Sequence, residues 1–163
     1  TPGANHSFGP TLAAERLGLK DMVTHRGKGR MSRIEQNRYC LQDSMIFCSF
    51  SRYGMDDGQR LRFTNAVTGW NISDGDAVTI ADRIYTLERL FNVREGFSRE
   101  EDSLPWRSLN EPMPDGAARG NTVPLEQMLT EYYAERGWNE QTGIPERETV
   151  DRLGLADLAD AFR

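Results

Sequence analysis

The sequence predicts an all-α, irregular multi-helix domain with a long ordered connector rich in proline and glycine. Three observations predict it. No stretch alternates polar and apolar residues with a strand's period of two. Ala77, Ile80, Ile84, Leu87 and Phe91 recur at steps of three and four, widened by Ala81, Tyr85 and Leu90. Capping residues open several segments and glycines close them.

Residues 1–11 carry Gly, Pro and Asn and read as irregular chain. Thr11 is placed to cap a short helix from Leu12 to Leu17, stopped by Gly18. The next segment, to about Arg30, reads as a solvated basic loop around His25-Arg26-Gly27-Lys28-Gly29-Arg30. No strand–loop–helix pattern frames it as a phosphate cradle. Ser32 then caps a helix to about Leu41, with Glu35 as the capping-box partner.

A helix from Asp56 to Thr68 follows, with Leu61, Ala66 and Val67 on a thin apolar face. Gly69 ends it, and Trp70 is expected to pack back on the body. The longest helix spans Asp74 to about Glu95. Ser73 and Asp76 form its capping box, Ile72 and Ala77 its staple, and Gly96 its stop. Prolines and glycines remove any period from residues 97–123, so this is the connector, with Glu100-Glu101-Asp102 a solvated acidic turn. Pro124 opens a helix carrying Leu125, Met128, Leu129, Tyr132 and Tyr133. Gly137 closes it, and Trp138 folds back on Tyr133. Two short helices, Glu146–Leu153 and Ala156–Phe162, are split by Gly154.

The chain has 163 residues, which suits one domain, and 37% of them are apolar. A net charge of −5 argues against nucleic acid as a main partner. No apolar run reaches the ~20 residues of a membrane helix. With no signal-peptide pattern at the N-terminus, the expected location is the cytoplasm. The chain starts at Thr1 without Met, a hint that it is a piece of something longer or has been processed.

The segment Gln42-Asp43-Ser44-Met45-Ile46-Phe47-Cys48-Ser49-Phe50 sets a carboxylate and a thiol in mostly apolar surroundings, and its composition predicts burial. One reading is a core turn with a stray acid. The other is a cofactor loop, in which the carboxylate takes N–H donors and the thiolate binds metal. Cys40 and Cys48 fit neither a zinc knuckle nor a CxxC pair. An iron–sulfur cluster normally takes about four ligands, so a cluster on Cys48 needs the rest from outside this chain.

Further along stand Arg83-Ile84-Tyr85-Thr86-Leu87-Glu88-Arg89-Leu90-Phe91-Asn92-Val93-Arg94-Glu95-Gly96-Phe97-Ser98-Arg99, Asp102-Ser103-Leu104-Pro105 and Glu111-Pro112-Met113-Pro114-Asp115-Gly116. Leu125-Glu126-Gln127-Met128-Leu129-Thr130-Glu131-Tyr132-Tyr133, Arg136-Gly137-Trp138-Asn139 and Gly143-Ile144-Pro145 follow in order, and Val67-Thr68-Gly69-Trp70 precedes them. From about residue 40 to 155 the chain resembles the C-terminal part of the tungsten-containing aldehyde:ferredoxin oxidoreductases.

That resemblance implies one helical domain over residues 1–163, belonging to a larger oxidoreductase whose N-terminal β domain and middle domain are absent here. It implies oxidation of aldehydes to carboxylic acids, with electrons passed to ferredoxin or another carrier. The cofactors implied are a tungsten (or molybdenum) bis-pterin (molybdopterin type) and a [4Fe–4S] cluster. The family's Asp-x-x-Gly-Leu-Cys motif falls on Asp43 and Cys48, so Asp43 is the expected pterin contact and Cys48 the fourth cluster ligand. Ile46-Phe47 stand where the motif has Gly-Leu. His6 is the expected catalytic histidine, and Cys40 lies off the motif. The isolated fragment is expected to hold no cofactor stably and to be inactive; no nucleic acid or membrane is expected as partner. The alternative is a non-catalytic helical interaction module that kept the fold without the cofactors.

Overall fold

The computed structural model describes residues 23–161 together with Thr11, Glu15 and Asp21. The expected helix Leu12–Leu17 and His6 lie outside the described residues. Seven α-helices are present among those described: α1 (Lys28–Ser44), α2 (Asp57–Thr68), α3 (Asp74–Arg94), α4 (Trp106–Asn110), α5 (Leu125–Arg136), α6 (Arg147–Arg152) and α7 (Ala156–Ala161). The extended pairing among described residues is a single antiparallel bridge, Trp138 to Pro145. The all-α expectation holds. No helix described is long and apolar enough to cross a membrane.

Helices with local caps fall where the sequence puts them. The Gln59 N–H donates to Asp56 Oδ1 at 2.7 Å and the Asp56 N–H to Gln59 Oε1 at 2.8 Å, closing a capping box on α2. Ser73 and Asp76 close the same box on α3. Between them the Asn65 amide holds both backbone groups of Ile72.

The start of α1 differs from expectation. It begins at Lys28 rather than after Ser32, so the supposed basic loop is partly the first turn of a helix. Lys28 and Gly29 are buried, and the Lys28 ammonium pairs with Glu15. Two features of α5 cause this. The Glu131 carboxylate accepts the backbone N–H groups of Gly27 (3.0 Å) and Arg30 (3.4 Å), replacing a local cap. Gly29 lies against the α5 backbone so closely that a Cβ there would sit 2.5 Å from the Tyr132 nitrogen.

Helix α1 packs against both α5 and α3, and a buried ionic network ties the three together. Asp82 of α3 accepts from Arg33 at 3.2 and 2.6 Å, from Asn37 at 2.8 Å and from Arg136 at 3.2 Å. Arg136 also donates to Asn37 Oδ1 (2.7 Å) and Gln36 Oε1 (2.8 Å), and lies 4.4 Å from the centre of the Tyr85 ring. Burial alone would raise the Asp82 carboxyl pKa. The hydrogen bonds from Arg33 and Asn37, with the charges of Arg33 and Arg136, outweigh it and hold the group below its ordinary range.

A second, apolar core joins the end of α3 to the last helices through Leu90, Val150, Leu153 and Leu155. Trp138 folds back as expected: its N–H donates to the Tyr133 carbonyl at 2.9 Å, and the two rings lie 6.0 Å apart.

Three further expectations are corrected. Trp70 is exposed rather than packed on the body, as are Ala66 and Val67 on the same side of α2. The connector is ordered but includes the short helix α4. Asp102 is not a merely solvated acid: it accepts from Arg89 at 2.8 Å and from the Tyr133 hydroxyl.

Candidate functional site

The Asp43–Cys48 loop is built on the C-terminus of α1. Asp43 lies in the last turn and Met45 caps it. The Ile46 N–H donates to the Asp43 carbonyl and the Phe47 N–H to the Gln42 carbonyl, each at 3.0 Å. These are the two hydrogen bonds of a Schellman ending. The residue between them must turn left-handed, and Ile46 does so with φ 61°. Gly96, Gly137 and Gly154 make the same pair of bonds at the ends of α3, α5 and α6. Ile46 is therefore a branched residue at a position that glycine fills three times elsewhere among the described residues.

Turning the backbone there sends the chain outward. Ile46 is 92% exposed. Cys48 is exposed and leads into a 3-10 turn, Ser49–Tyr53, whose Phe50 and Tyr53 are also exposed. Burial, predicted from the segment's apolar composition, is thus corrected for Ile46, Cys48 and Phe50; Met45 and Phe47 are half-buried. The Arg52 guanidinium lies over the rings of Tyr39 (5.2 Å) and Tyr53 (5.6 Å), fixing the turn to α1. Asp43 is exposed as well.

The two thiols differ. Cys40 is buried, and desolvation first, then the nearby Glu88 charge, push its pKa up to about 11. The Ser44 hydroxyl donates to the Cys40 carbonyl at 2.7 Å. Cys40 is thus a core thiol, and Cys48 is the one presented outward.

Among the described residues no group of three His, Cys, Asp or Glu side chains is placed to hold a metal ion. The donor set on this loop is one thiol and one carboxylate. It would fit one corner of a thiolate-bound cluster, whose other thiolates would have to come from outside the chain. The left-handed turn at Ile46 preserves the backbone path that a glycine at that place permits.

The charged residues of the core escape sequence reasoning. The signal is present: Asp82, Tyr85 and Arg89 follow one another at steps of three and four, so both charges share the face of α3 that carries Tyr85.

Fold and loop together define a class: an all-α domain that presents a thiol and a carboxylate at an open helix end. The family described as aldehyde ferredoxin oxidoreductase, domains 2 and 3, matches residues 1–155. The chain belongs to that family. It is 39% identical over 155 residues to a tungsten-containing aldehyde ferredoxin oxidoreductase of Pyrococcus furiosus, covering 94% of this chain and 26% of the relative. The Thermococcus kodakarensis and Pyrococcus abyssi proteins of the same description are 39% and 40% identical over 132 residues, each covering 80% of this chain and 22% of the relative. The chain thus spans about a quarter of the length of the relatives it matches.

Proposed function

We propose that this chain is the C-terminal helical domain of a tungstopterin and iron–sulfur oxidoreductase that converts aldehydes to carboxylic acids. The observation that carries the proposal is the Schellman turn at Ile46. In a chain of this family, it sets Asp43 and Cys48 on an exposed loop with the backbone of a glycine-bearing motif.

Cys48 loses its proton to bind iron as one thiolate of four. Asp43 accepts N–H donors from the pterin, a charge-assisted pair that fixes its orientation. When bound, a tungsten pterin would supply two-electron oxidation of aldehyde and water to carboxylate and protons, and a cluster held in part by Cys48 would supply electron transfer towards ferredoxin. His6, which lies outside the described residues, is the histidine assigned to proton transfer in the reaction. Both cysteines are free thiols, which suits the reducing cytoplasm. The remaining domains of the longer protein are the partners that cover Ile46, Phe50 and Tyr53.

The test is made in the longer protein. Cys48→Ser is expected to lower iron content and abolish aldehyde-dependent dye reduction. Asp43→Ala is expected to lower pterin and tungsten while leaving iron in place. Iron content and activity unchanged in Cys48→Ser would support the second reading, a helical interaction module without cofactors. The exposed Ile46, Phe50 and Tyr53, which by themselves suit a docking surface, favour that reading.

A further inference from the structure

Helix α2 carries most of its apolar side chains on its outer face. Of its 12 residues, Arg60 and Leu61 alone are buried. Phe63 and Val67 are 60% and 81% exposed, and Ala66 is exposed between them. These three stand at i, i+3 and i+4, the spacing of an apolar stripe along one helix face. Trp70, just past the Gly69 turn, is 61% exposed. A surface helix normally turns such a stripe inward; here Leu61 is the apolar residue that does so. A hollow of about 480 Å³ opens beside the stripe, lined by Met55, Gln59, Arg62, Phe63 and Ala66. Arg62 is the charged side chain in that lining, and no ion pair among the described residues engages it. The neighbouring acids have other partners: Asp56 accepts the Gln59 N–H, and Asp57 pairs with Arg38 and Arg60.

Side chains of this size left in water forgo the main favourable term of folding. Apolar anchors at this spacing are what a helix presents to a groove in a partner, and tryptophan is enriched at such contacts. A second copy of this chain fits poorly. A two-fold contact sets the patch against itself, and the lining of the hollow offers Arg62 another Arg62 and no carboxylate. The chain covers 26% of the Pyrococcus furiosus relative, so most of a protein of that length is polypeptide outside it. We infer that the outer face of α2 is a docking surface for that further polypeptide of the same longer protein. Its occupant is an apolar segment that seats against Phe63, Val67 and Trp70 and brings a carboxylate to Arg62. This contact is carried by a different element from the Cys48 loop. The inference rests on the chain being part of a longer protein, as the proposed function does, and on none of the redox chemistry.

The test puts a thiol on the face with Val67→Cys and follows maleimide labelling in this chain and in the longer protein. Peptide mass spectrometry reads the modified site, so that Cys40 and Cys48 are scored apart. Labelling should be fast in this chain and about tenfold slower or more in the longer protein, where the reagent enters only as the contact opens. Arg62→Glu in the longer protein sets two carboxylates together and should return most of the rate, whereas Arg62→Lys keeps the charge and should leave labelling slow. Circular dichroism of each variant in this chain separates a lost contact from a lost fold. Equal rates in the two proteins overturn the proposal, because the face is then open. A rate unmoved by Arg62→Glu overturns it, because no carboxylate then meets Arg62. A slow rate that rises on dilution also overturns it, because a second copy then supplies the cover. Iron content and aldehyde oxidation enter none of these outcomes, so a failure here is distinct from a failure of the Cys48 reading.

Discussion

Ile46 holds a left-handed backbone with a side chain branched at Cβ, and that side chain is almost wholly in solvent. The conformation costs about 1–2 kcal/mol for a residue bearing a Cβ, and no burial offsets it. Ile46→Gly should therefore stabilise the chain by about 1 kcal/mol, after allowance for glycine's greater freedom when unfolded. Urea denaturation would measure it; a loss of stability would mean that the left-handed turn is not the resting conformation. Gly29 sets the opposite expectation. An added methyl would meet the Tyr132 backbone, which cannot swing aside as a side chain can. Gly29→Ala should destabilise by about 1–3 kcal/mol, the cost of overpacking a close helix crossing. The thiols also separate at this scale. One, Cys48, should react with a disulfide reagent at once, and Cys40 only on unfolding, since it is buried with a pKa of about 11. Equal rates in Cys48→Ala and Cys40→Ala variants would contradict that ordering.

At the scale of elements, what the sequence reveals depends on whether an element's ends are fixed locally. For α2 and α3 the capping partners are three residues apart, and the start of α3 is legible to the residue and that of α2 to within one. For α1 the cap is a carboxylate on α5, so no local pattern announces it. The Asp43–Cys48 segment misleads for a related reason: apolar composition reports a need for cover, and the cover is not supplied by these helices. The site's residue types and spacing are legible; the outward turn that presents them is not. The ionic network between α1, α3 and α5 sets the response to acid. The Asp82 carboxyl pKa is lowered in the folded chain, so its contribution is present above the ordinary carboxylate range. It is lost as pH falls below about 4 towards the folded value. Unfolding free energy should fall between about pH 5 and 3 on that account, in chemical denaturation at stepped pH. Asp82→Asn leaves the buried Arg136 without its counter-charge and Arg33 with Glu135 alone, and should cost about 3–5 kcal/mol, while flattening that part of the acid dependence. An undiminished pH slope in the variant would place the titrating group elsewhere.

For the whole molecule, the apolar residues left outside matter most. Ile46, Phe50 and Tyr53 beside Cys48, and Phe63, Val67 and Trp70 along and just beyond α2, are exposed together with a reactive thiol. A chain spanning about a quarter of its relatives' length meets solvent with surface suited to cover by further polypeptide. Anaerobic reconstitution of this chain alone should yield no stoichiometric [4Fe–4S] spectrum, because the loop offers one thiolate of the roughly four a cluster needs. A full cluster per chain would show that the ligands can be gathered another way.

The carboxylate that caps α1 has a kinetic consequence. Gly27 and Glu131 are 104 residues apart in sequence. The first turn of α1 therefore has no complete set of acceptors until α5 has been made and brought home, with Gly29 seated against Tyr132. Closing so large a loop costs entropy before it returns any contact, which slows the step that needs it. During synthesis the amide protons of Gly27 and Arg30 should stay open to exchange until Glu131 has left the ribosome. In refolding they should gain protection with α5 and after the locally capped α2 and α3, an order that pulsed hydrogen exchange can read directly.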